Sequence, residues 1–98
     1  MSSYFIVSVK LGKPESRLLY EAYIRQVRPL VEAQGGEYLV RSEDLDCWPG
    51  EWRPDRVIVI RFPDRKALDR CFQSPEYRAI KQLRLDSVSA SAVIVDGC

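Results

Sequence analysis

Short runs of β-branched and aromatic residues alternate with longer stretches in which apolar residues recur at helical spacing. Tyr4-Phe5-Ile6-Val7-Ser8-Val9-Lys10 has the composition of a strand. Gly12-Lys13-Pro14 breaks it, and proline suits the first turn of a helix, where no backbone N–H is needed. From Ser16 to Gln34, Leu19, Tyr23, Val27, Leu30 and Val31 return every three or four residues among charged neighbours, which predicts an amphipathic helix. Pro29 should kink or restart it after Arg28, and Gly35-Gly36 should end it. Glu37-Tyr38-Leu39-Val40-Arg41 reads as a second strand, which Leu45 and Cys47 would prolong through a bulge near Ser42 to Asp44. A turn-rich connection, Trp48 to Asp55, leads into Arg56 to Phe62. There the unbroken run Val57-Ile58-Val59-Ile60 implies a central strand covered on both faces.

Asp64 is placed to cap a helix whose buried side carries Ala67, Leu68, Cys71 and Phe72. Ser74-Pro75-Glu76 starts another, with Tyr77, Ile80 and Leu83 as its apolar stripe. Val88 to Val95 closes the chain as a strand, with Ser89 and Ser91 facing away from Val88, Ala90 and Ala92. Strand, helix, strand, strand, helix in two pieces, strand is the order of a ferredoxin-like α+β sandwich, βαββαβ, with a four-stranded antiparallel sheet. Its central strands are the first and third, here the strongest apolar segments. Residues 1–98 read as one such domain, without repeat or linker.

An open sheet with all its helices on one side leaves its other face bare. On the third strand Ile58, Ile60 and Phe62 should meet the helices, leaving Val57, Val59 and Arg61 outside. On the first strand both alternating sets, Phe5/Val7/Val9 and Tyr4/Ile6/Ser8, carry large apolar side chains. The bare face would be more apolar than a monomer tolerates, so a homodimer, sheet face to sheet face, is expected.

Composition removes much of the remaining chemistry. Fifteen Lys and Arg against fourteen Asp and Glu leave +1, so no net field steers the chain toward nucleic acid or an acidic membrane. With no histidine, Ser-His-Asp and Cys-His nucleophiles and His-ligated metals or haem are excluded. Cys47, Cys71 and Cys98 are odd in number and widely spaced, which argues against disulfides and zinc ribbons; Cys71 reads as a small core residue, and Cys47, in a loop or strand end beside Trp48, as a candidate reactive thiol with no histidine to form its thiolate. The third strand lacks the aromatics an RNA-recognition motif needs for base stacking, since Phe62 stands alone. Gly35-Gly36 follows a helix instead of opening one, so it is not a phosphate loop. Acids are scattered, and no metal or other cofactor is expected. The first apolar run is short, lacks a preceding positive charge and ends at Lys10, unlike a signal peptide; with no stretch of transmembrane length, the cytoplasm is the expected location.

Several segments resemble the family known as domain of unknown function 1330, one of the dimeric α/β-barrel group of ferredoxin-like folds. They are Tyr4-Phe5-Ile6-Val7, Pro14-Glu15, Gly35 to Arg41, Gly50-Glu51-Trp52-Arg53-Pro54, Val59-Ile60-Arg61-Phe62-Pro63 and Ser74 to Lys81, in family order. The resemblance implies a homodimer whose two sheets close a barrel, and no established reaction. Two positions depart from the family pattern. Arg61 stands where an acid is usual, which removes any mechanism needing a carboxylate there. Lys13 stands where an aspartate usually precedes the helix-opening proline, giving up a cap worth roughly 1 kcal/mol.

Four residues emerge as candidate ligand contacts: Tyr38, Trp52, Arg61 and Tyr77. Trp52 with Arg53, Pro54 and Arg56 would cap a pocket for a flat or anionic molecule, or else pin a turn against the sheet edge. Tyr77 and Tyr38 would turn their hydroxyls toward a cleft, or else sit satisfied in the core. Arg61, if buried, needs an acid of the other subunit, such as Glu37, Glu43 or Asp44, or an anionic ligand. Arg17, Arg25, Arg65, Lys66, Arg78, Lys81 and Arg84 read as solvated helix faces. The expected function is to bind a small organic molecule, anionic or aromatic, between helices and barrel. Two forms stay open: a metal-free enzyme of monooxygenase or isomerase type, or a non-catalytic homodimeric ligand-sensing or protein-interaction module.

Overall fold

The computed structural model describes residues 1–98 as seven elements in the expected order: β1 (Ser3–Lys10), α1 (Pro14–Ala33), β2 (Glu37–Ser42), β3 (Arg56–Phe62), α2 (Arg65–Phe72), α3 (Pro75–Ser87) and β4 (Ser89–Asp96). Local chemistry sets most boundaries. The Asp64 carboxylate accepts the Ala67 N–H at 2.8 Å and caps α2. The Ser74 hydroxyl accepts the Tyr77 N–H at 3.1 Å and donates to the Cys71 carbonyl at 2.8 Å, tying the start of α3 to the end of α2. Lys13 contributes no side-chain cap, and α1 opens on Pro14. Pro29 does not restart α1, which runs unbroken to Ala33. The proline lies on the solvent side, where the Arg25 carbonyl it leaves without a helical donor can be hydrated. After the helix Gly35 takes φ +80°, and at Gly36 a Cβ would collide with Val31 and crowd Phe62.

The sheet order is β2-β3-β1-β4, every neighbouring pair antiparallel. The bulge in β2 falls at Leu39, between Tyr38 and Val40, instead of near Ser42 to Asp44. It resolves a conflict of facing. Tyr38 pairs with inward Ile60 and Val40 with outward Val59, although the two stand two residues apart and would otherwise share a face. Leu45 and Cys47 do not extend the strand; residues 43–55 form a loop. Asp55 anchors its end, donating its N–H to the Val9 carbonyl and accepting the Leu11 N–H, both at 2.8 Å.

All three helices cover one face of the sheet. Tyr20, Tyr23, Ile24, Val27 and Val31 of α1 bury against Ile58, Ile60 and Phe62, with Leu68, Cys71, Tyr77 and Ile80 completing the core. Leu19, expected in the buried stripe, is instead exposed, one position off the inward face that Tyr20 and Ile24 occupy. The other sheet face is open, in a slab only 17 Å thick against 33 and 32 Å in its other dimensions. Register places Val40, Val59, Ile6 and Val93 in one row across all four strands of that face. No helix is long and apolar enough to cross a membrane.

Candidate functional site

A cavity of about 240 Å³ lies between α1, α3 and the helix-covered face of the sheet. Its room comes from the edge strand. Ala90 and Ala92 are the inward residues of β4, pairing with Val9 and Val7, and their short side chains leave space that Phe5 and Val7 close on β1. Fourteen of its sixteen lining residues are hydrophobic. Aromatic rings form much of the wall. Phe5 stacks on Phe72 at 4.4 Å, and Tyr77 meets Phe72 edge-on at 5.1 Å and Tyr23 at 6.2 Å. Tyr20 stacks beside Tyr23 at 5.8 Å.

The polar groups in this wall are few and specific. The Tyr23 and Tyr77 hydroxyls share a buried hydrogen bond of 2.9 Å. Burial raises the Tyr23 pKa, the adjacent Tyr77 adds to the rise, and Arg84 opposes it. Tyr20 is raised by burial against the pull of Arg56, and burial pushes Tyr38 up to about 12. These three phenols therefore stay protonated at neutral pH and serve as hydrogen-bonding groups, not as bases. Arg84 is the one charged residue in the lining, and its guanidinium makes no ion pair and no hydrogen bond to protein.

Beyond the Tyr20 end, Arg56 is 6% exposed. It pairs with Glu21 at 3.1 Å and Glu43 at 3.5 Å and lies 5.5 Å over the Tyr20 ring, while its Nη1 has no partner. Glu43 also holds Arg17 at 2.9 Å, so the loop after β2 is pinned to α1 by a charged cluster. The Cys71 thiol is pushed up to about 11 by burial, which leaves it inert.

Two of the four sequence candidates, Tyr38 and Tyr77, line the cavity. The other two lie elsewhere. Arg61 sits on the open face, exposed, and pairs with Glu37 of its own chain at 2.5 Å. Glu37 was among its expected acids, but as a residue of the other subunit. Trp52 is 65% exposed and borders a separate, more open hollow of about 430 Å³ with Cys47, Trp48 and Val57. Arg53 there donates to the Trp48 carbonyl at 2.6 Å, whereas Arg56 points to α1 and is no part of the tryptophan cluster.

Tyr20, Tyr23 and Arg84 are the cavity groups that no motif marked as functional, and Arg84 is not simply a solvated helix residue. Spacing carried the signal. Arg84 follows Tyr77 by seven residues and Ile80 by four, on the inward stripe of α3. Arg56 likewise shares the alternation of Ile58, Ile60 and Phe62.

The sheet order and helix placement define a ferredoxin-like α+β protein with a ligand-sized cleft beneath its helices. Within that class, residues 2–98 match the model of the family described as Domain of unknown function (DUF1330), and the chain belongs to it. Among solved structures it is similar to RPA0582 of Rhodopseudomonas palustris, a protein of unknown function, with TM-score 0.79, 20% identity, and 99% of this chain and 82% of that one covered. A dimeric ferredoxin-like protein of unknown function from Jannaschia sp. CCS1 aligns with TM-score 0.80 at 14% identity, covering 99% of this chain and 100% of the other. SnoaB, a cofactor-independent oxygenase from Streptomyces nogalater, aligns with TM-score 0.68 at 12% identity, covering 99% and 93%. At these identities the likenesses establish the fold. No curated protein matches the chain.

Proposed function

We propose that the protein is a cytoplasmic homodimer, one domain per chain, that binds a small and largely apolar organic molecule in the cavity beneath α1 and α3. The observation that carries this reading is the cavity itself: hydrocarbon and aromatic walls around a single buried hydroxyl pair, Tyr23 and Tyr77. At about 240 Å³ it falls below the roughly 300–1,000 Å³ of drug-sized sites, so the ligand is the size of one ring with a short substituent. Tyr38 and Tyr77 are the ligand contacts retained from the sequence. Trp52 and Arg61 lie outside the cavity, and Arg61 belongs with the open face.

That face supports the second half of the reading. The row Val40, Val59, Ile6 and Val93 is flanked by Val95, and exposure reaches 56% at Val93. A second copy fits it best, because the patch is aliphatic and a two-fold interface sets the same patch of each subunit against itself. Two fold neighbours bear the description dimeric in their own right.

An oxygenase or isomerase working without metal would hold its substrate in the same cavity, with the phenols polarising it. The absence of histidine and the raised tyrosines give that site no base, which favours binding over acid–base turnover. The test is a thermal-shift screen of monocyclic organic compounds on the wild type and on Ala90→Leu, which fills the cavity from β4. A hit should stabilise the wild type saturably and lose its effect in the variant. Stabilisation that survives Ala90→Leu would place binding elsewhere. Oxygen uptake and product analysis with each hit then separate enzyme from binder.

A further inference from the structure

We infer that the ligand of this cavity is a monoanion, a ring or short chain ending in a carboxylate, and that Arg84 is the residue that recognises it. The inference rests on the cavity being the binding site and adds the charge of what it takes.

A guanidinium on the wall of a pocket that is otherwise apolar is costly to leave without an anion, because its five donors keep only the solvent they can reach. Arg56, which like Arg84 acts on the Tyr20 phenol, already has acids. It takes Glu21 and Glu43, and Arg28 takes Glu32 at 2.7 Å. Arg84 has none, although it is half-buried; Asp86, two residues on, is engaged by Gln82 at 2.8 Å. No lining residue is acidic. The field inside supports the same sign. Burial raises the pKa of the Tyr20 phenol and Glu21 adds to the rise, while Arg56, Arg84 and Arg41 oppose it. A carboxylate at Arg84 would complete a charge-assisted pair and could take a further bond from the Tyr23–Tyr77 hydroxyl pair, while its ring lay against Phe72 and Ile60. A dianion or a phosphate ester fits less well, since only one unpaired cation lines the space.

The experiment compares 3-phenylpropionate with 3-phenylpropionamide, the same shape without the charge, by calorimetric titration of the wild type and of Arg84→Gln. The variant keeps the helix, because what Arg84 gives the fold is its carbonyl, which accepts from Ser87 and Val88. The carboxylate should bind the wild type about tenfold or more tightly than the amide. Arg84→Gln should erase that difference, weakening the carboxylate far more than the amide, with circular dichroism confirming the fold. Equal wild-type affinity for the two compounds, or a gap that persists in Arg84→Gln, overturns the assignment of Arg84 but leaves the cavity reading standing. No binding of either compound to the wild type, with Ala90→Leu indistinguishable from it, overturns both.

Discussion

The two faces of one sheet are built from the same four strands, yet they end in different chemistry. On the inner face large aromatic side chains meet α1, α2 and α3, and the small residues of β4, Ala90 and Ala92, leave a cavity with buried hydroxyls. The outer face has an aliphatic row, no aromatic cluster, and a charged pair, Arg61 with Glu37, one register step from it. The inner face buries its surface within the chain; the outer face has none of its own chain to bury against. The difference teaches that adjacent residues of β3, at about 3.3 Å rise and opposite facing, can answer to separate selections: folding for Ile58, Ile60 and Phe62, and in the proposed dimer assembly for Val57 and Val59.

Substitutions at neighbouring positions of that strand should separate the two roles. The largest effect is expected from Val59→Asp, which puts a carboxylate at the centre of the proposed dimer contact, twice per dimer. Each unpaired buried charge costs several kcal/mol, so the dimer should dissociate at concentrations where the wild type stays paired. Light scattering across a micromolar range measures this; a wild type that is itself monomeric there would remove the distinction between the faces. Phe62→Ala acts on the other side. Phe62 is fully buried against Phe72, their centroids 5.9 Å apart, and its truncation should lower unfolding free energy by about 3–5 kcal/mol in denaturant titration. Dimer formation by the molecules that remain folded should be little changed.

The architecture was largely legible because alternation and helical spacing are dictated by which face is covered, and coverage is a property of the whole strand or helix. Both α2 and α3 announced their caps, Asp64 and Ser74, since capping needs only neighbours in sequence. The site was legible in part. Tyr38 and Tyr77, conspicuous as tyrosines among apolar residues, line the cavity, whereas Trp52 and Arg61, conspicuous as unusual residues, lie apart from it. The bulge at Leu39 was misplaced because it answers to β3, not to β2: inward Tyr38 must meet Ile60 and outward Val40 must meet Val59. Arg84 escaped for the opposite reason. Its neighbours Lys81, Leu85 and Asp86 are exposed, and a single arginine on a mixed helix resembles a solvated one until α1 and β4 are set around it.

The smallest effect probes how dry the inner face is at its edge. Tyr38 stands on β2, the strand farthest from β4, with the Arg28 guanidinium 5.7 Å over its ring. Burial is the main cause that pushes its pKa up to about 12, and Arg28 and Arg41 oppose the rise. In the unfolded chain the phenol titrates near 10. Below about pH 10 both states are protonated and Tyr38 adds no pH dependence. Between about 10 and 12 the unfolded chain releases the proton and the folded one keeps it, so stability falls as pH rises, at about 1.4 kcal/mol per pH unit for each proton so divided. Tyr20 and Tyr23, also raised, add to the slope in the wild type. Tyr38→Phe should therefore reduce the decline between pH 10 and 12 without abolishing it, and leave stability at pH 7 nearly unchanged. Urea titrations at half-unit intervals measure the slope. If Tyr38→Phe declines as steeply as the wild type, water reaches the hydroxyl and the dry inner surface ends short of β2.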